Sequence, residues 1–136
     1  MTGTVLADTG PLYAPADPSD QYHLRAISEA EATLARNLRV AISYPVLCEG
    51  HNLVLQRLGG AYSRQWLAEL VAGSLLLNPE PADYLSAASL LDRFPDQRIT
   101  LTDAVTATVS RRLSLPVWTF DRHFTTLGSK QWRPAR

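Results

Sequence analysis

Four carboxylates stand where their types and surroundings could do chemistry: Asp8 in VLADTG, Glu49 in YPVLCEGHN, Asp103 in TLTDAV and Asp121 in TFDRHF. Four acids cannot all stay ionised at close range without cations, and no lysine or arginine adjoins Asp8, Glu49 or Asp103 in the chain. A divalent metal would resolve the repulsion. Oxygen-only ligands select hard ions such as Mg²⁺ or Mn²⁺, and two such ions roughly 3.5 to 4 Å apart suit in-line displacement at phosphorus. Each acid also has a plainer use. Asp8, before Thr-Gly, could close a turn with its own backbone. Asp103 could complement a helix dipole, and Asp121 could cap a short helix. Glu49 could reach solvent or pair with an arginine. Helical spacing, however, sets it beside Val46 and Leu53, where a charge is costly unless paired or metal-bound.

The elements that must position these acids alternate. TVLAD (4 to 8), LRVAIS (38 to 43), SLLLNP (74 to 79) and LPVWTF (115 to 120) are apolar runs without period-two alternation, the pattern of strands buried on both faces. Between them lie helical stretches. QYHLRAISEAEATLARNL follows the turn residues PADPSD, with Asp20 placed to cap it. PVLCEGHNLVLQRL begins with Pro45, which a first helical turn tolerates. AYSRQWLAELVA follows Gly59-Gly60, a fourth helix covers about 80 to 93, and TDAVTATVSRRL is the last. Short strands alternating with helices imply parallel pairing through crossovers. The fold class expected is therefore α/β, with helices on both faces of one sheet. Aspartic proteases share Asp-Thr-Gly but are built almost entirely from β-strands, so that use of the motif is excluded.

In an open parallel sheet, ligands bind at the carboxyl ends of the strands. Asp8 ends the first strand and Asp121 follows the last, so both should project at one edge. Glu49 lies early in the helix after the second strand. Asp103 lies in the first turn of the helix before the last strand, a position that strand polarity alone does not fix. Gly50, directly after Glu49, is a poor helix former and predicts a kink there.

Composition narrows the classes further. At 136 residues, 46% of them hydrophobic, the chain is expected to be one domain, 1 to 136, with one substantial core. No run approaches the roughly 18 apolar residues of a membrane span, and MTGTVLADTG lacks the basic start and apolar core of a signal peptide, so a cytoplasmic, membrane-free protein is expected. The lone Cys48 forms no internal disulfide and reads as a small buried hydrophobe. Acids and bases both total 13; setting four acids aside leaves nine against 13, a basic remainder of +4 around an acidic pocket, as a phosphodiester would require. Several cations gather late: Arg111, Arg112, Arg122, Lys130, Arg133 and Arg136. Arg122 and His123, beside Asp121, are candidates to touch phosphate. Trp132 in the tail KQWRPAR reads as a packed aromatic before it reads as a base-stacking one. Asp17 and Asp20 are sufficiently explained by turn chemistry, and His23, His51 and His123 share no spacing that would make one a general base.

The segments VLADTGPLYA, ISYPVLCEGHNLVLQ and ITLTDAVTATVSRRLSLPVWTFDRHF, in that order and covering nearly the whole chain, resemble the PIN-domain ribonucleases, most closely the VapC-type toxins of bacterial toxin–antitoxin pairs. The resemblance implies a three-layer α/β/α sandwich with a mostly parallel sheet. It makes Asp8, Glu49, Asp103 and Asp121 the acidic quartet that holds Mg²⁺ or Mn²⁺, with the hydroxyls of Thr9 and Thr119 nearby. It implies endonucleolytic hydrolysis of RNA by metal-activated water, a homodimer, and neutralisation by a cognate antitoxin. The alternatives are a PIN-like domain acting on structured DNA, or one that binds RNA or a partner without cutting. A signalling receiver domain would need an acidic pair after the first strand, an aspartate after the third and a lysine after the last; the chain has Ala7-Asp8, Asn78 and Lys130 as its only lysine. An aspartate-nucleophile phosphatase would need a second aspartate where Gly10 stands.

Overall fold

The structure is a computed structural model that describes residues 3–134. Its elements, in chain order, are β1 (Thr4–Ala7), α1 (Thr9–Tyr13), α2 (His23–Ala35), β2 (Arg39–Ser43), α3 (Tyr44–Leu58), α4 (Gly60–Gly73), β3 (Leu75–Leu77), α5 (Pro81–Asp92), α6 (Leu101–Leu113), β4 (Val117–Trp118) and α7 (His123–Thr126), with a 3₁₀ turn at Ala14–Ala16. The strands form one sheet in the order β3-β2-β1-β4, every pair parallel. Register is fixed by Leu6↔Ala41, Leu6↔Val117 and Ile42↔Leu76. Among the described residues no helix is long and apolar enough to cross a membrane.

The unalternated apolar runs are explained by the two cores they feed. Successive strand residues point to opposite faces. Leu6, Ala41 and Val117 join Ala87 and Leu90 of α5, Ala104 to Val109 of α6 and Phe124 of α7 on one side. Val5, Ala7, Ile42 and Trp118 join Leu12, Val46, Val54 and Trp66 of α1, α3 and α4 on the other. The result is the three-layer α/β/α sandwich expected.

Three local expectations need correction, and one short helix was not foreseen. Asp20 does not cap α2: Tyr22 holds the cap position, and the Asp20 carboxylate accepts the Tyr22 N–H at 2.8 Å, closing the turn one step earlier. The last strand is only Val117–Trp118, because the chain beyond Trp118 turns to deliver Thr119 and Asp121. Cys48 is exposed, not buried: it shares the outer face of α3 with Tyr44 and Leu55, while Val46, Leu47 and Val54 turn inward. The five-residue α1, directly after Asp8, was not foreseen, since it is too short to show a period.

Gly50 also has a different meaning from the one its propensity suggests. Helix α3 runs through it from Tyr44 to Leu58, and a Cβ built on it would lie 2.5 Å from Cη2 of Trp66. That indole cannot retreat freely, because its Nε1–H donates to the Leu12 carbonyl at 2.9 Å. The glycine lets α4 approach α3. Helix propensity alone would make Gly50→Ala stabilising by about 1 kcal/mol; the contact makes it destabilising by about 1–3 kcal/mol. Chemical denaturation of the variant is therefore expected to show a lower midpoint, and a higher one would mean that the indole yields.

Candidate active site

Backbone pairing of β1 with β4 builds the centre of the site. The Asp8 N–H donates to the Trp118 carbonyl at 2.9 Å, which sets Asp8 and Thr119 side by side at the carboxyl edge. Thr119 Oγ1 then donates to Asp8 Oδ2 at 2.8 Å and accepts the Asp121 N–H at 2.9 Å. One buried hydroxyl thus ties the end of the first strand to the turn after the last.

Asp103 reaches the same edge because a crossover helix runs antiparallel to the strand it precedes, so α6 starts where β4 ends. Its position is secured by a capping box: the Asp103 N–H donates to Thr100 Oγ1 at 3.1 Å, and the Thr100 N–H donates to Asp103 Oδ2 at 3.2 Å. Glu49 enters half-buried from the second turn of α3. All four predicted acids are brought into electrostatic contact: Asp103 and Glu49 act on Asp8, and Asp121 and Glu49 act on Asp103.

The cost of this gathering falls on Asp8, which is only 7% exposed. Burial pushes its carboxyl up to about 7, the hydrogen bonds from Thr119 and the Thr9 N–H oppose the rise, and the charges of Asp103 and Glu49 add to it. Asp103 is raised as well, chiefly by burial, with Asp121 and Glu49 adding and Thr100 opposing. The plainer uses of Asp103 and Asp121 are also real. Asp121 Oδ1 accepts the His123 N–H at 2.9 Å at the start of α7 and lies 3.0 Å from His123 Nδ1.

As the side chains stand, no three acids, histidines or cysteines among the described residues are close enough to enclose an ion. The chemistry of the donors nonetheless fits a hard divalent cation. They are oxygens throughout, and Mg²⁺ keeps part of its water shell, so it does not need every carboxylate as a direct ligand. Two hydroxyls at the edge support the fit: Thr9 Oγ1 and Ser43 Oγ are buried and have no partner among the described residues. Ser43 ends β2, in register with Asp8 by continuation of the Leu6↔Ala41 pair. Sequence reasoning named Thr9 but missed Ser43, although a serine between an apolar strand and a helix was a visible signal.

Arg122 is exposed at the rim of an open cleft that also contains Asp8 and Asp121, while His123 is held by Asp121. Tyr22 and Phe120 line the same cleft and were not singled out from sequence. Of the other late cations, Arg112 makes a two-point bond to Asp83 at 2.8 and 2.7 Å, and Arg133 donates to the Thr119 carbonyl at 3.0 Å. Arg136 lies outside the described residues. Trp132 packs edge-on against Trp118 with ring centres 5.8 Å apart, which is the structural role read for it.

Asp8 binds its proton more tightly folded, at about 7, than an unfolded aspartate near about 3.9. The folded state therefore holds the extra proton between those values, and metal-free stability should fall as pH rises from about 4 through about 7. In EDTA, Asp8→Asn is expected to flatten this slope and to melt above the wild type at pH 8, by an amount on the order of a few kcal/mol. Identical pH profiles for the two proteins would show that burial does not govern this group.

No protein-family model matches the sequence, and no curated protein matches it. Solved structures do. VapC20 from Mycobacterium tuberculosis, described as a sarcin–ricin loop cleaving toxin, superposes with a TM-score of 0.82 at 22% identity, over 96% of this chain and 99% of that one. VapBC2 from Rickettsia felis, bound to a DNA fragment from its promoter, gives 0.71 at 14% identity over 96% and 97%. FitAcB from Neisseria gonorrhoeae gives 0.68 at 20% identity over 96% and 97%. At these identities the likeness is one of fold, and it extends over nearly the whole length of each chain. The chain has the PIN-like α/β/α fold of the VapC-type toxins, the fold its motifs led one to expect.

Proposed function

We propose that this protein is a metal-dependent endoribonuclease acting as the toxin of a toxin–antitoxin pair. The observation that carries the proposal is the buried Asp8 carboxylate, placed among Glu49, Asp103 and Asp121 at the carboxyl edge of a parallel sheet with, among the described residues, no basic side chain bonded to any of the four except His123. A site built only for stability would place cations there. Mg²⁺ or Mn²⁺, when bound, supplies charge stabilisation at the phosphate and lowers the pKa of a coordinated water.

The chain's own residues do the rest. Asp8 and Asp121 are the central metal-binding carboxylates, and the Thr119 hydroxyl positions both, donating to the Asp8 carboxylate and accepting the backbone N–H of Asp121. Glu49 and Asp103 close the site from α3 and α6, each held by its own helix. Arg122 is positioned to meet a phosphate oxygen, and the Asp121 bond orients the His123 ring.

RNA is the substrate favoured by the likeness to VapC20, a sarcin–ricin loop cleaving toxin. A cognate antitoxin partner is favoured by the likeness to VapBC2 and to FitAB, both bound to DNA fragments. A homodimer belongs to the same proposal and has support in the exposed row Tyr44, Cys48 and Leu55 on α3.

Purified protein should cut total cellular RNA into discrete fragments with Mg²⁺ or Mn²⁺ and not with EDTA. Asp8→Asn and Asp121→Asn should each lower the rate by more than about a hundredfold. Thr119→Val, which removes only the orienting hydroxyl, should cost about 10- to 100-fold. Cleavage that persists in EDTA, or in both aspartate variants, would exclude the proposal.

A further inference from the structure

Beside the acids stands a feature that the proposed chemistry does not use. Tyr22, at the start of α2, and Phe120, just past β4, stack with ring centres 4.6 Å apart and planes 24° from parallel. Neither ring belongs to either of the two cores. Both are half-buried, and both line the open cleft, about 580 Å³ in volume, that contains Asp8, Asp121 and Arg122. An aromatic pair that contributes to no core and fronts a charged cleft has ring surface available to a planar ligand.

The pair is held firmly. The Arg25 guanidinium lies 4.7 Å from the centre of the Phe120 ring, and Arg25 Nε donates to the buried Glu29 at 2.8 Å. The other oxygen of Glu29 accepts the Trp118 Nε1–H at 2.8 Å, so the support runs from the stack back into β4, the strand that delivers Thr119 and Asp121. Tyr22 is fixed at its backbone by Asp20. The aromatic surface is thus rigid relative to the acids.

Resting on the nuclease reading above, we propose that the Tyr22–Phe120 stack is the platform on which a nucleobase of single-stranded RNA lies beside the phosphate to be cut, with Arg122 bonding the backbone. Stacking on an aromatic side chain is tolerant of base identity, because every base has a π-face. Arg122 makes no bond among the described side chains and adds charge at the rim of the same cleft. The platform therefore fixes where the strand enters, and leaves sequence choice to other contacts.

The test uses the full chain in EDTA, where nothing is cut, and a five-nucleotide adenylate RNA with 2-aminopurine at its centre. A second oligomer carries an abasic ribose at that position. Wild type is expected to quench the 2-aminopurine and to bind the abasic oligomer about tenfold more weakly. Tyr22→Leu and Phe120→Leu should each lose both the quenching and the preference, while Tyr22→Trp retains them. Equal binding of the two oligomers by wild type, or leucine variants that melt and bind as wild type does, would overturn the platform. If those leucine variants also cut total RNA at the wild-type kcat/KM, the platform falls and the nuclease stands. If wild type neither binds these oligomers nor cuts total RNA, both fall.

Discussion

The hydrogen bond from Thr119 Oγ1 to Asp8 Oδ2 is the interaction on which the arrangement of the site depends. Asp8 is nearly buried and faces other acids, so a charge there is opposed by both desolvation and repulsion. Few groups oppose those costs: this hydroxyl, the Thr9 N–H and the strand pairing that sets Asp8 against Trp118. Thr119 is in turn held from both sides, since its hydroxyl oxygen also accepts the Asp121 N–H. A hydroxyl bonded both as donor and as acceptor is restrained in its rotation, and that restraint passes to both carboxylates. The same three residues link the chain's first strand to its last, so the geometry of the edge and the closure of the sheet are one event.

The three buried carboxylates among the described residues are handled in two opposite ways. Glu29 is bonded on one oxygen by Arg25, which also supplies the opposite charge, and on the other by Trp118. Asp83 is likewise matched by Arg112. Asp8 has hydroxyl and backbone donors only, and its nearest charges share its sign. Among the described residues no arginine or lysine bonds this carboxylate. The contrast within one fold distinguishes a carboxylate serving structure from one kept available.

Much of this was legible in the sequence. The four apolar runs without alternation gave a parallel sheet with two covered faces, and Leu6 and Val5 do lie in separate cores. Strand ends located Asp8 and Asp121. Asp103 could not be placed by polarity alone, because its position depends on α6 running back across the sheet. Of the remaining misses, two depend on neighbours distant in sequence and one does not. Gly50 is explained by Trp66, which sits in the next helix. Cys48 faces outward for a local reason, since Val46, Leu47 and Val54 on the same helix already fill the inner face. Tyr22 and Phe120 are 98 positions apart, and nothing in either local stretch indicates that they meet.

The placement of β4 beside β1 has a consequence for the order of events during synthesis. Asp8 and Thr119 are separated by 111 positions. At roughly 5–20 residues per second, a ribosome needs several seconds or more to supply the second after the first. Until then the first strand lacks one neighbour, its carboxylate has no hydroxyl, and Asp121 does not exist. Chains halted anywhere in the first 118 residues therefore cannot assemble the acidic edge, however well their helices have formed. Contacts of such long range also close late in folding, since the entropy of the intervening loop must be overcome first. The acidic edge therefore cannot form before the chain has been made through Asp121.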